Sequence, residues 1–450
     1  MNYFNKKFFH FYKISFIIAP MRLKIKKVKG KFMQTKLLTE ITRRKEKIAQ
    51  NYLKGVGQVL KKKRIELKMT QELAAIGICS NTYLSKIENN QITVNQEHLY
   101  LLMERMNIPT DKISFPSEML KSLEKAVTLF FYRDIDGYTE LYNNIVQFDF
   151  AILLQIVKLG YYLLINDLEK AKIVHNEIFR YITILEDYGF SVFLVFSSYY
   201  NIAIKDYKNA KFTIDNIAKN LYSEEHLYGL YNHAKFLAYG NLHLNITSMD
   251  AGFIAMQIFN KYANTNRINE FYIWKEIFSV YEGNFNLSTF VFDKLKYVEK
   301  NLKNIYLIVM ALRTKDPLIY LVHLEKEADN YLLGLFVKGK YHLDNSELEE
   351  YNKSLNELQE LHYLKQSKIN FAGLLKSLKA KDDQAIKENL INHCLDYAVQ
   401  NQNLFFIEII TESISSILSK KNRYKDALIY KNKYNEYKQI FQSAPKITIK

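Results

Sequence analysis

The chain has 450 residues with 63 Lys/Arg against 47 Asp/Glu, a formal charge of +16, and that charge is not spread evenly. The first 64 residues hold 19 basic and 2 acidic side chains, leaving 44 and 45 for the rest, so a chain that coats nucleic acid along its whole length is excluded. Two cysteines, Cys79 and Cys394, exclude a disulfide framework and point to a reducing, cytoplasmic compartment.

Residues 1–54 read as a basic leader, disordered or partly helical. Lys6 and Lys7 precede apolar residues as in a signal peptide, but His10 and Lys13 interrupt the run, Ile14–Ala19 is too short, and no small-x-small cleavage site follows. The roughly twenty apolar residues of a membrane span are absent. The leader is an extension upstream of an initiator at Met21 or Met33, a basic tail, or an arm for a DNA backbone or a membrane surface. Residues 34–54 are helix-compatible and strongly basic.

A small domain is expected over residues 55–110. Its first helix runs from about Val56 to Leu67, with Val59 and Leu60 inward and Lys61, Lys62 and Lys63 as a solvated or phosphate-facing cluster. Met69–Gln91 then reads as two short helices joined by a tight turn. Thr70 can cap the first, where Ala74, Ala75 and Ile78 repeat at helical spacing; Ser80 can cap the second. On that second helix Leu84 and Ile87 face inward, while Asn81, Thr82, Ser85, Lys86 and Asn89 face out. This is a helix-turn-helix whose second helix suits a major groove. Asn81, Thr82 and Lys86 occupy the groove-facing positions, where asparagine favours adenine and lysine favours guanine. A fourth helix, about Gln96 to Met106, buries Leu99, Leu102, Met103 and Met106. Pro109 closes the domain and Pro116 marks a linker over residues 111–119.

Residues 120–445 show a loose internal period. NDLEKA, KDYKNA and NRYKDA each follow an apolar helix and open another; Ala171, Ala210, Ala251 and Ser288 recur at 39, 41 and 37 residues. A small residue where paired helices cross is what a helical-hairpin repeat needs. Phe150–Ile165 and Tyr306–Leu312 read as buried repeat helices, because Lys158 breaks the first and the second is too short to cross a bilayer. The fold class is all-α: a small helix-turn-helix domain followed by a tetratricopeptide-like right-handed α-solenoid.

Catalytic grammar is missing. The ten histidines lack H-E-x-x-H, no cysteine pair has zinc spacing, and no phosphate-binding glycine motif appears. No metal, no cofactor and no enzymatic activity are expected. Cys79, between the helices of the motif, reads as a small buried hydrophobe.

Lys62 to Asn89 resembles the lambda-repressor-like, Xre-type helix-turn-helix. Thr70, Gln71, Cys79, Leu84, Ser85, Ile87 and Glu88 are spelled as in peptide-pheromone-responsive regulators of the PlcR/Rgg/PrgX group. That resemblance implies backbone contacts from Gln71, Ser85 and Asn89 beside Lys61 and Lys62, and a partly buried ion pair between Arg64 and Glu88. LYNHAKFLAY, Leu230 to Tyr239, resembles a repeat segment of the same group; it implies a peptide-binding face with Asn232 and Lys235, and Asn201 one repeat earlier. The implied function is a dimeric, sequence-specific regulator of transcription whose repeats sense a short signalling peptide, with double-stranded DNA and a second copy as partners and no membrane. The alternative is a tetratricopeptide scaffold for protein–protein contact with no small ligand and no DNA role.

Overall fold

A computed structural model describes residues 36–37, 39–40, 56–89, 91–92, 96–108, 116–145, 152–185, 187–217, 224–283, 293–328, 330–364 and 369–443. Most of the leader, Pro109, most of the linker and Ser288 lie outside the described residues. The described residues are helical without a strand, and no helix among them is long and apolar enough to cross a membrane. They pack as two compact units. The first holds the described residues through Ile204 and Asn209–Ala234; the second holds Lys205–Lys208 and Lys235 onward.

The N-terminal module of the first unit has four helices: α1 (Val56–Glu66), α2 (Gln71–Ala75), α3 (Asn81–Glu88) and α4 (Gln96–Arg105). Thr70 and Ser80 start α2 and α3 as hydroxyl caps, accepting from the Leu73 and Tyr83 amides at 3.1 Å each. Gly77, at φ +71°, turns the chain between them in a conformation that costs glycine nothing. Leu60, Ala74, Ala75, Leu84, Ile87, Leu102, Met103 and Met106 are buried in one core, and Cys79 packs against it with its thiol pushed up by burial. The alanines let α2 approach closely. Arg105 reaches from α4 to the end of α2, donating to the carbonyls of Ala74 and Ile76 that the helix leaves unpaired.

Behind the module the first unit stacks α5 (Pro116–Tyr132), α6 (Ile135–Ile145), α7 (Ile152–Leu164), α8 (Leu168–Arg180) and α9 (Asp187–Ala203). Helix α7 is buried nearly all round, Lys158 included, as the apolar run around it requires. It can be gripped so closely because of Gly160: a Cβ there would lie 2.2 Å from the Tyr138 hydroxyl and 2.6 Å from the Phe196 ring. That hydroxyl donates instead to the Val157 carbonyl at 3.0 Å. The division between units falls within α10 (Tyr207–Asp215) and α11 (Glu225–Asn241).

The second unit continues with α12 (Asn245–Lys261), α13 (Thr265–Tyr281), α14 (Lys300–Ala311), α15 (Leu318–Leu321), α16 (Tyr331–Asp344), α17 (Leu348–Leu364) and α18 (Phe371–Ala380). Then come α19 (Asp383–Asn389), a π-helical stretch at Leu390–Leu395, α20 (Asp396–Gln400), α21 (Leu404–Lys420) and α22 (Tyr424–Gln442). Ala171, Ala210 and Ala251 are buried at the recurring position, as the repeat spacing requires.

One turn is used again and again. Arg133, Asn166, Ala263, Lys381 and Gln402 all take positive φ, and each is followed by Asp134, Asp167, Asn264, Asp382 or Asn403. The amide of that second residue closes the preceding helix, as in Asp167 N to Tyr162 O at 2.9 Å and Asn264 N to Phe259 O at 2.9 Å. Its side chain then opens the next, as in Asp167 Oδ1 accepting from the Lys170 amide at 3.1 Å. Two residues thus serve as C-cap and N-cap together, and the interhelical turn is fixed in both directions. The left-handed backbone disfavours non-glycine residues by roughly 1–2 kcal/mol. Ala263 is exposed at φ 49°, so Ala263→Gly is expected to stabilise the fold by roughly 0.5–1 kcal/mol after the extra chain entropy of glycine. An unchanged or lowered urea midpoint would contradict that.

Inside the first unit His175 is buried, its Nε2 2.8 Å from Ser197 Oγ, its Nδ1 without a hydrogen-bond partner, and its ring stacked on Tyr200 at 4.6 Å. Burial pushes it down to about 4 from an ordinary 6.5. Below pH 6.5 the unfolded chain therefore takes a proton that the folded form refuses until about pH 4, so this contribution to stability is full above 6.5 and falls on acidification through that window. The loss reaches about 3 kcal/mol by pH 4. Urea melts at pH 7.5 and 5 should show a smaller acid-induced drop for His175→Gln than for the native chain; equal drops exclude the histidine as the cause.

Candidate nucleic-acid interface and ligand cavity

The end of α3 is held by a carboxylate with three bonds. Glu88, whose side chain is fully buried, accepts from Arg64 Nε at 2.5 Å, from Arg64 Nη2 at 2.9 Å and from Gln71 Nε2 at 2.7 Å. The same arginine donates Nη1 to the Met69 carbonyl at 2.8 Å. One guanidinium therefore ties α1, the turn before α2 and the end of α3 together, and its planar fork suits the two carboxylate oxygens. This fixes the angle at which α3 leaves the module. With Leu84 and Ile87 buried behind it, the helix presents Asn81, Thr82 and Lys86, all exposed.

Beside that face Lys61 Nζ donates to Asn89 Oδ1 at 3.2 Å, and Asn89 Nδ2 lies 3.5 Å from Ser85 Oγ. The structure brings Lys61, Ser85 and Asn89 together at the C-terminal end of α3, where a phosphate could exchange with these weak, exposed contacts. These side chains form one polar surface with one helix at its centre. Residues 60–113 are an Xre-type helix-turn-helix. They match the helix-turn-helix family across that span, which takes in the module alone and leaves the repeats outside.

No curated protein matches the chain. Among solved structures, the crystal structure of a Rap protein complexed with Competence and Sporulation Factor is similar with a TM-score of 0.54 and 12% identity, over 72% of this chain and 99% of that one. The apo form of the quorum sensor NprR from B. thuringiensis gives a TM-score of 0.49 and 15% identity, over 71% of this chain and 99% of that one. At 12% identity the first likeness is one of fold, and it agrees with a tetratricopeptide-like helical architecture.

Two residues expected at the DNA backbone are occupied elsewhere. Lys62 is 1% exposed: its ammonium lies 3.2 Å from Glu177 on α8, 3.7 Å from Glu66, and 5.5 Å above the Tyr181 ring. A phosphate cannot reach a lysine buried in this way against a neighbouring helix. Gln71 spends its amide on Glu88 and acts in the module's interior. In the repeats, Asn232 is 3% exposed and its amide donates to the Tyr228 carbonyl one turn back at 2.9 Å, which closes it to a ligand. The Lys235 ammonium lies over the Tyr239 ring at 5.6 Å, and Asn201 is half-buried.

The second unit contains what the sequence did not announce, a cavity of about 1600 Å³. Leu312, Leu332, Phe336 and Ile410 give it apolar lining; Ser415, Ser416 and Ser419 of α21 bring hydroxyls. Neither Asn201, Asn232 nor Lys235 lines it. The π-helical stretch contributes Leu390 and Cys394, the latter a thiol pushed up to about 12 by burial and so unreactive. No sequence signal marks such a cavity, because its walls come from helices separated by more than a hundred residues.

Proposed function

We propose that the chain is a sequence-specific DNA-binding regulator of transcription. In this reading α3 enters a major groove, Asn81, Thr82 and Lys86 read base edges, and Lys61, Ser85 and Asn89 hold the backbone. The observation that carries the reading is the exposure of those three α3 side chains on a helix anchored by the Arg64–Glu88 pair. One such module makes few contacts, so the working form is a homodimer on a pseudo-palindromic site, acting in the cytoplasm.

The repeats are the sensor. A large cavity lined by both apolar and hydroxyl-bearing side chains suits a short signalling peptide, whose side chains need burial and whose backbone amides need partners. The likeness in fold to a Rap protein solved with Competence and Sporulation Factor agrees with a ligand-binding role. A ligand that favours one arrangement shifts the population of dimers able to span both half-sites; going from 1:99 to 99:1 takes a differential affinity of ~10⁴. The first experiment is a mobility shift of the full chain with the DNA upstream of its own gene. A shift that fades with salt supports the regulator; none at any salt overturns it in favour of a protein-docking scaffold.

A further inference from the structure

The charges around the cavity are unbalanced. Asp344 is paired with Lys340, and Glu327 lies 3.4 Å from Lys300. That leaves Glu412 facing Lys205, Arg313, Lys315 and Lys431. An apolar cavity with a surplus of fixed positive charge favours an anionic ligand.

Arg313 is the most defined of those cations. Its guanidinium lies 5.2 Å from the centroid of the Phe405 ring, and its Nε is buried without a hydrogen-bond partner. Glu408 on α21 is near enough to feel Arg313 but does not hydrogen-bond its Nε, and burial and Glu412 push its carboxyl up. The ring holds the guanidinium plane in place, and a planar fork of donors matches the two oxygens of a carboxylate.

We propose that Arg313 binds a carboxylate of the peptide that occupies this cavity. The assignment rests on the peptide-sensing reading above. The carboxylate is the peptide's C-terminus or an acidic side chain, and the serines of α21 take its backbone.

Three pools of short synthetic random peptides distinguish the sources: one with free C-termini, one amidated, and one amidated and lacking Asp and Glu. Each is incubated with the full chain, and bound peptide is recovered by gel filtration and quantified by mass spectrometry. The pool without any carboxylate should be retained at least about tenfold less than the first. Retention of the amidated pool assigns the carboxylate to a side chain, and its loss assigns it to the C-terminus. Arg313→Met should bring the carboxylate-bearing pools down to the level of the third, with an unchanged melting temperature. If that variant fails to fold, Arg313→Lys, which keeps the charge over Phe405 and removes the fork, should show a partial drop. Equal retention of the first and third pools, or undiminished retention by the Arg313 variants, overturns the assignment while leaving peptide sensing in place. If no pool is retained, both readings fall.

Discussion

Arg64→Ala is expected to cost the DNA-binding module roughly 3–5 kcal/mol and to abolish DNA binding without removing any residue that touches DNA. The substitution leaves Glu88, fully buried, with Gln71 as its remaining partner of the three bonds described. Glu88→Ala should cost less, because the guanidinium it strands is 12% exposed and keeps the Met69 carbonyl. Glu88→Gln should be milder still, since its amide oxygen can still accept from Arg64, while the charge and the bonding at the second oxygen are lost. The paired replacement Arg64→Met with Glu88→Leu should recover much of the loss, because a buried ion pair adds little over well-packed apolar groups of similar size. Hydrogen exchange in the full chain measures this locally: amides of α1 and α3 should lose protection in that order while those of α7 stay as they were. Protection of α3 unchanged in Arg64→Ala would show that the pair does not hold the module.

The second large effect is on recognition. Asn81→Ala with Lys86→Ala should weaken binding to the specific site by ~2–6 kcal/mol, about 1–3 for each base contact, while leaving the fold intact because both side chains are exposed. Affinity for unrelated DNA should change less, since of the two only Lys86 adds to the charge-driven part. Binding by the native dimer should also fall steeply with salt, ~10³–10⁵-fold from about 50 to about 200 mM for ~6–10 phosphate contacts. With Lys62 locked against Glu177, the lower end of that range is expected. Fluorescence anisotropy on specific and scrambled duplexes reads all three quantities. An equal loss on both duplexes would mean that Asn81 and Lys86 touch only the backbone.

Much of the fold is local and was therefore legible. Thr70 and Ser80 announce their helices because a cap acts within three residues, and Leu84 with Ile87 define an inward face because helical periodicity is a property of the segment. Ala171, Ala210 and Ala251 give away the repeat because each must be small for its own helix crossing. The turn residues were harder to see. Arg133, Ala263, Lys381 and Gln402 adopt a backbone that glycine usually signals, and the following Asp or Asn carries the cue instead.

The sequence by itself thus determined the helical class, the helix-turn-helix with its outward Asn81, Thr82 and Lys86, and the presence of hairpin repeats, all of which depend on interactions a few residues long. Only the tertiary structure decided which polar residues are available. Lys61 and Lys62 are adjacent and identical in type, yet one stays beside the end of α3 and the other is taken by Glu177, 115 residues away. Gln71 and Asn232 likewise turn inward to partners on their own fold, and Arg313 becomes a candidate anchor through a cavity whose walls lie far apart in the chain. Burial and partner choice are set by long-range packing, and the identity of a residue carries no record of what will be packed against it.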